Sequence, residues 1–301
     1  MTKHKIIISR QPANDIAEHQ MSKVYVTNHI IEVVTVEKKS HNLSNYRKLN
    51  GNGCVNMETG EWIEYQSNPR SENHKSMTRT FTELRRLINQ NFTGSASEKH
   101  LVLTYQSDMR DYHQANIDFK RFWSRFRYQY PYCEYIRIIE PQRTGRWHIH
   151  VLLKRNDNRP LYLDYKKVRS IWRLGRIHIS DLPFSDNFGA YFSASFTDVD
   201  VFEDLENKST QNHRQVLKGA RLRFYPPHFK LYACSRGIVR PVPTTMPYEN
   251  VRHMVQGCER IYSYTNHIIE QLPDGTEQEV NAITYEQFNL QRKNKQENES
   301  K

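Results

Sequence analysis

Two histidines and a glutamate form the set of side chains in this sequence best suited to hold a metal ion. His148 and His150 are separated by one residue, so both rings project from the same face of a β-strand. Residues 143–145 end in a glycine and predict a three-residue hairpin loop between two apolar runs. Such a hairpin would place Glu140 directly opposite His148, with the two Cβ atoms roughly 4.5–5.5 Å apart.

These three side chains would form an open metal site. Two imidazoles and one carboxylate leave coordination positions for water and substrate oxygens, as in catalytic sites. The apolar residues 151–153 follow the histidines and indicate a strand held within a sheet. The same donors also suit a mononuclear iron oxygenase, so the metal set by itself leaves two kinds of chemistry open.

A tyrosine on a predicted helix is the second chemical feature. Tyr191 lies in the predicted helix 187–196, which follows the predicted N-cap Asp186. The small residues around Tyr191 would let a DNA strand approach closely. A phenol has an ordinary pKa of about 10 and is a weak nucleophile without assistance. A divalent ion on a phosphodiester would assist its attack, which would yield a phosphotyrosine and a free 3′-OH. The structural alternative is that Tyr191, one of 18 tyrosines, packs against a sheet.

Composition narrows the class of protein. The 301 residues contain 44 Lys and Arg against 33 Asp and Glu, and the formal charge of +11 favours a polyanionic partner. None of the 11 glycines belongs to a G-x-x-x-x-G-K-[ST] motif, which excludes a P-loop ATPase. There is no apolar run of about 18 residues, and the apolar stretch Ile6 to Ile8 is too short to predict a signal peptide. The four cysteines form no C-x-x-C pair, so we expect reduced thiols in a cytoplasmic protein. Without a long apolar run, we expect no membrane attachment.

The elements that must position these residues follow in an α+β order. Hydrophobic periodicity predicts a central antiparallel sheet with flanking helices. The predicted elements are strand 101–105, helix 111–130, strands 133–141 and 146–154, helix 163–174, strand 176–179 and helix 187–196.

Changes in composition and in the predicted secondary structure along the sequence predict three regions. Residues 1–94 form an accessory region with strands and a helix over 72–90, and residues 95–200 form the core that carries the histidines and the tyrosine. Residues 201–301 form a strand-rich extension, including a strand near 221–225. The charged tail from about residue 292 lacks apolar residues and is predicted to be disordered.

The ordered set of motifs resembles the HUH superfamily of rolling-circle replication initiators from Gram-positive plasmids, phages and related mobile elements. The segments that carry the resemblance are 101–105, 140–153, 187–198 and 221–238. The resemblance implies an HUH endonuclease fold with a central antiparallel five-stranded sheet. It implies Mg²⁺ or Mn²⁺ at His148 and His150, with Glu140 as the third ligand.

The resemblance also implies a reaction and partners. Tyr191 would nick one strand at an origin, keep the 5′-phosphate and leave a 3′-OH to prime synthesis. The DNA would be a single-stranded origin, including a hairpin form, while a host helicase and polymerase would unwind and extend it. The sequence departs from many relatives at Ser195, where a second Tyr or a Lys often follows one turn after the first. Lys218 and Arg221 are candidates for an assisting cation.

Basic residues near the core are the predicted DNA contacts. Four of them interleave with aromatic residues in the helix 111–130, and we expect the aromatic rings to be core and the cations to face DNA phosphates. Two more flank the histidine strand and a Gly-containing turn. The six predicted contacts are Lys120, Arg121, Arg125, Arg127, Arg146 and Arg236.

Other functions stay open at this point. A relaxase for conjugative mobilisation or a transposase would use the same chemistry, although the flanking segments favour replication. A non-catalytic origin-binding protein with a decayed site is the non-enzyme alternative, and Ser195 is its support. The net charge of +11 disfavours an iron oxygenase.

Overall fold

A computed structural model of the protein describes most of the chain. The described residues are 5–38, 46–48, 53–56, 60, 62–64, 74–142, 144–182, 185–190, 192, 199–201, 215–217, 224–226, 229–271 and 275–293. Contacts divide the chain into two compact units. The terminal unit comprises Met1–Ser67 with Pro241–Lys301, and the central unit comprises Asn68–Arg240.

The secondary structure is mixed α and β, as predicted. In the terminal unit the elements are β1 (Lys5–Gln11), β2 (Met21–Thr27), β3 (Ile30–Val36), β4 (Tyr46–Lys48), β5 (Gly53–Asn56) and β6 (Trp62–Glu64). In the central unit they are α1 (His74–Asn91), β7 (Glu98–Leu103), α2 (Tyr112–Gln129), β8 (Cys133–Pro141), β9 (Trp147–Arg155), α3 (Tyr165–Trp172), β10 (Ile177–Ser180), β11 (Val199–Val201), β12 (Gln215–Leu217) and β13 (Tyr232–Cys234). The chain then re-enters the terminal unit with β14 (Thr244–Pro247), α4 (Tyr248–Met254), β15 (Cys258–Gln271) and β16 (Glu277–Lys293).

The central unit is built on a five-stranded sheet with the order β10-β7-β9-β8-β13. Every neighbouring pair is antiparallel, so the predicted central antiparallel sheet of five strands is confirmed. The two middle strands, β9 and β8, are buried over most of their length. Their apolar side chains on both faces explain why they lie at the centre of the sheet rather than at an edge.

Helices α2 and α3 cover one face of this sheet. The apolar stripe of α2, formed by Phe119, Phe122 and Phe126, is buried as predicted. Phe119 packs 5.0 Å from the ring of Tyr135 on β8. An Asp N-cap begins each helix, because the side chain of Asp111 accepts hydrogen bonds from two amides of α2 and an equivalent residue accepts one from an amide of α3.

The opposite face of the sheet carries the predicted metal ligands. Residues of one strand alternate between faces, so Tyr135 and Glu140 of β8 project to opposite sides. A helical turn at residues 188–190 lies on the Glu140 side, since Phe192 just after it contacts His100 of β7, and the helix α1 lies on the same side. Lys154, which shares a face of β9 with the two predicted histidine ligands, donates to the carbonyl oxygen of Asn91 at the end of α1.

The two ends of the chain meet in the terminal unit. Its six-stranded antiparallel sheet has the order β1-β15-β16-β3-β2-β14, so it contains strands from both residues 5–36 and residues 244–293. Val251 of α4 packs onto this sheet against Val24, Ile31 and Phe288. This grouping differs from the three sequential regions, because hydrogen bonding between distant strands joins segments that are separated by the whole central unit.

Some of the helices and strands predicted outside the core are present in the structure and others are not. The helix predicted over 72–90 is α1. The strand predicted near 221–225 is absent at its described residues 224 and 225, while 221–223 lie outside the described residues. Of the predicted disordered tail, 292 and 293 end β16 and 294–301 lie outside the described residues. No helix in the described part of the chain is long and apolar enough to cross a membrane.

Candidate metal centre

The hairpin of β8 and β9 has the register predicted from the sequence. Glu140 pairs with His148 across the two strands. The amide of Gln142 donates to the carbonyl of Arg146 at 2.7 Å, and the amide of Gly145 donates back to Gln142 at 2.8 Å. Gly145 has a φ of +84°, in the left-handed region that favours glycine, so the residue type at the loop end determines the register.

The three predicted ligands converge in space. The Nε2 atom of His150 lies 2.9 Å from Oε2 of Glu140, and Nε2 of His148 lies 3.6 Å from the same oxygen. All candidate ligand atoms lie within 4.8 Å of one another. The Glu140 side chain is 2% exposed, and those of His148 and His150 are 13% and 17% exposed. The site is therefore a buried carboxylate beneath two histidines that retain limited access to solvent.

Burial keeps both histidines neutral at physiological pH. It lowers the pKa of His148 to about 4. It also lowers the pKa of His150 to about 3, and the nearby His148 contributes in the same direction. A neutral imidazole has a lone pair on one nitrogen, which is the form that binds metal ions. The contacts with Glu140 are consequently polar contacts of neutral rings, and both histidines can act as ligands without first losing a proton.

The donor set fits a divalent ion. Neighbouring ligands of an octahedral ion at bond lengths of about 2.1 Å stand about 3 Å apart, on the scale of the two Nε2–Oε2 separations. Two nitrogens and one oxygen on one side leave the remaining positions open to water or substrate. The group Glu140, His148 and His150 could hold a metal ion, and these donors do not by themselves select which one.

A third histidine, which the sequence analysis missed, supports the centre. Nε2 of His100 on β7 lies 3.1 Å from Nδ1 of His150, within hydrogen-bond distance. The two rings are nearly parallel, at 13°, with centroids 5.3 Å apart. Burial lowers the pKa of His100 to about 3, with smaller effects from His150 and His178. No sequence signal marks His100, because its position depends on the register of β7 against β9.

The segment around the predicted nucleophile reaches this centre through Phe192. The Phe192 ring is buried and meets the His100 ring edge-on, with centroids 5.2 Å apart. Upstream, the amide of Gly189 donates to Oδ1 of Asn89 on α1 at 2.6 Å. A Cβ atom on Gly189 would collide with the carbonyl oxygen of Arg85, so only glycine permits this close approach of the turn to α1. The side chains of Tyr191, Ser195, Lys218 and Arg221 lie outside the described residues.

The part of the chain that contains this centre is similar to a known protein family. Residues 98–199 match the model of the family Replication-associated protein ORF2. This family consists of rolling-circle replication initiators, so the resemblance seen in the motifs is confirmed. The replication-associated segment, residues 98–199, runs from β7 to the start of β11, about a third of the chain, and contains Glu140, His148 and His150. No curated protein and no solved structure matches the chain.

Within the replication-associated segment, four of the five predicted DNA contacts lie away from the metal centre. The four predicted contacts on α2 are exposed, but this helix covers the sheet face opposite Glu140. Arg146 donates to the carbonyl oxygen of Ser107 at 2.8 Å and pairs with Asp108 at 3.4 Å. Trp147 is buried and projects from the other face of β9.

The sixth predicted contact lies beyond that segment. Arg236, in the turn after β13, is exposed. DNA binding by all six cations stays a prediction.

Proposed function

We propose that this protein is a metal-dependent endonuclease and strand transferase that nicks and rejoins single-stranded DNA at an origin of rolling-circle replication. One observation carries the proposal. The buried group Glu140, His148 and His150 converges on a single point inside the segment that matches a replication initiator family. The family match supports the role in replication, and the convergence of ligand atoms supports the chemistry.

The three ligands would hold Mg²⁺ or Mn²⁺. When bound, such an ion neutralises charge on the phosphate oxygens and polarises phosphorus. With an ion bound, Glu140 would supply a negative charge, and the two neutral imidazoles would add none of their own. The open side of the triad, above the histidines, would receive the scissile phosphate.

Tyr191 is the proposed nucleophile. Its phenol oxygen forms a bond to phosphorus while the bond between phosphorus and the 3′-oxygen breaks. The phenol proton is balanced by the proton that the leaving 3′-oxygen gains, so the products are a 5′-phosphotyrosine and a free 3′-OH. The position of the adjacent Phe192 against His100, which in turn bonds to His150, supports a location of this segment beside the metal ligands.

Termination of the reaction would be completed by water or by a second copy of the chain, because Tyr191 holds the 5′-phosphate at that stage. Ser195 stands where many relatives have a second tyrosine or a lysine, and a serine hydroxyl is a poor substitute for either. Lys218 and Arg221 are the proposed assisting cations. A host helicase would unwind the nicked origin, since this sequence contains no P-loop motif. A host polymerase would extend the 3′-OH, and we place the reaction in the cytoplasm.

The test is a covalent adduct with DNA. A labelled single-stranded origin hairpin is incubated with the protein and Mn²⁺, and an SDS-resistant complex is expected. Tyr191→Phe should abolish the complex, whereas Tyr132→Phe, at an exposed tyrosine, should leave it unchanged. His148→Ala and His150→Ala should abolish cleavage and retain salt-sensitive DNA binding. An adduct that persists in Tyr191→Phe would contradict the assignment of the nucleophile.

The same assay separates the remaining alternatives. An adduct formed only with a conjugative transfer origin or a transposon end would assign the chemistry to a relaxase or a transposase. DNA binding without any adduct would indicate a non-catalytic origin-binding protein.

A further inference from the structure

The outer surface of helices α2 and α3 is strongly basic. It carries eight exposed cations, namely Lys120, Arg121, Arg125, Arg127, Lys166, Lys167, Arg169 and Arg173. We refer to these eight residues as the basic helical face. The two helices contain a single acidic residue, Asp118, which is buried and accepts hydrogen bonds from Tyr105 and Gln114. Exposed carboxylates are confined to the N-caps Asp111 and Asp164, at the start of each helix, where they accept hydrogen bonds from backbone amides.

A cleft runs between the two helices on this face. Its volume is about 530 Å³, within the range of pockets that bind small ligands. Its lining combines three cations, two hydroxyl groups, an amide, an aliphatic side chain and one aromatic ring. The lining residues are Ser124, Arg125, Tyr128, Gln129, Lys167, Ser170, Ile171 and Arg173.

Hydrogen bonds hold part of this lining in place. Arg125 donates from Nη1 to the carbonyl oxygen of Ile171 at 3.0 Å and from Nε to the carbonyl oxygen of Arg121 at 3.2 Å. These bonds connect α2 to the end of α3 and keep a guanidinium in the cleft. Arg173 donates to the carbonyl oxygen of Ser170 at 2.9 Å. Two of the three cations are thus positioned before any ligand arrives, which lowers the entropy lost on binding.

An exposed aromatic ring stands beside these cations. Tyr128 is 84% exposed, and Tyr165, the first residue of α3, is also exposed. A tyrosine ring that is not covered by protein offers a face on which an unpaired base can stack. Cations that neutralise phosphates and a ring that receives a base are the two components of sites for single-stranded nucleic acid. A surface that bound only an anionic protein or free phosphate would not require the ring.

This cleft and the metal centre lie on opposite faces of the five-stranded sheet. Phe119 of α2 packs on Tyr135, whereas Glu140 projects from the other side of the same strand. Layers of a protein that pack face to face are separated by about 10 Å, and the sheet and α2 both lie between the two sites. One nucleotide cannot occupy both sites. The phosphates bound in the cleft are therefore different from the phosphate that is cleaved at the metal centre.

We propose that the cleft between α2 and α3 is a second binding site for single-stranded DNA, which holds one unpaired base against Tyr128 and neighbouring phosphates on Lys167, Arg125 and Arg173. The identity of the ligand rests on the proposed function, but binding at this site requires neither the metal nor Tyr191. The site holds a length of the origin strand away from the nick, so that the strand stays attached while its other part is processed.

The test measures binding without metal. A labelled oligonucleotide of 20 thymidines is titrated in EDTA at several salt concentrations and followed by fluorescence anisotropy. Lys167→Gln combined with Arg173→Gln should reduce the slope of log Kd against log salt by about 1.4, which is about 0.7 for each lost phosphate contact. Tyr128→Ala should weaken binding on the order of 10-fold. Lys230→Gln, at an exposed lysine outside the basic helical face, is the matched control and should bind as the wild type does.

The outcomes separate this site from the proposed reaction. Variants of the cleft that bind with the wild-type Kd and salt slope would overturn the second site, whatever the adduct assay shows. His148→Ala should keep the wild-type affinity in EDTA, and an equal loss in this variant would place the bound DNA at the metal centre instead. Inorganic polyphosphate should compete equally well in Tyr128→Ala and in the wild type. A selective loss of polyphosphate binding in Tyr128→Ala would contradict base stacking as the role of the ring.

Discussion

The buried histidines of the metal centre should make the central unit sensitive to acid. An unfolded histidine has a pKa of about 6.5. In the folded protein, burial lowers the pKa of His148 to about 4. Between these two values the unfolded chain binds a proton that the folded chain does not, so the free energy of unfolding falls as the pH falls. The stabilising contribution is complete above pH 6.5 and is lost as the pH decreases toward 4.

The size of this effect follows from the two pKa values. Between pH 7 and pH 5, one histidine whose folded pKa is about 4 lowers the free energy of unfolding by ~2 kcal/mol. His150 and His100, whose pKa values are lowered to about 3, act in the same direction. A domain has a total stability of about 5–15 kcal/mol. Proton uptake by three such histidines on unfolding would therefore remove a large part of it at pH 5.

The assay compares the wild type with His148→Gln in EDTA. Urea unfolding is followed at pH 7, 6 and 5 by tryptophan fluorescence, since Trp123, Trp147 and Trp172 all lie in the central unit. The variant should lose ~2 kcal/mol less stability than the wild type between pH 7 and pH 5. His113→Gln, at a histidine outside the metal centre, should follow the wild type. An identical pH dependence in His148→Gln and the wild type would refute the reasoning.

Three further predictions test the packing around the centre. His100→Phe should weaken Mn²⁺ binding by about 10- to 100-fold in calorimetry because His150 loses its partner, and His100→Gln should restore part of the affinity; unchanged affinity in His100→Phe would contradict a positioning role. Gly189→Ala should destabilise the protein by on the order of 3 kcal/mol in urea unfolding, because the new Cβ would collide with the Arg85 carbonyl, and a neutral result would contradict the close approach. Glu98→Ala should cost about 2 kcal/mol in the same measurement, since the carboxylate accepts hydrogen bonds from the amides of residues 93–95; Glu98→Gln should cost less.

The local parts of the centre could be predicted from the sequence. The spacing of His148 and His150, the glycine at 145 and the pairing with Glu140 all depend on strand alternation and a short loop, which are encoded within about ten residues. For the same reason, the apolar stripe of α2 and the antiparallel order of the core strands agree with the structure.

Features that depend on long-range pairing could not be predicted. His100 joins the centre only because Val102, two residues further along β7, pairs with His150 on β9. The division into three sequential regions did not predict that β3 pairs with β16, because the whole central unit separates these two strands in the sequence. Neither contact leaves a local pattern, because the apolar residues of each strand would be equally satisfied by several partners and registers.

By itself, the sequence determined which side chains could bind a metal, which segment they share with replication initiators, and that the chain is basic. Only the tertiary structure decided where that charge lies. The aromatic stripe of α2 must be buried, and it packs on the sheet face that the metal ligands do not use. The cations between those aromatic residues therefore face outward on the far side of the sheet, which separates the basic helical face from the metal centre because one helix cannot turn both surfaces toward the same ligand.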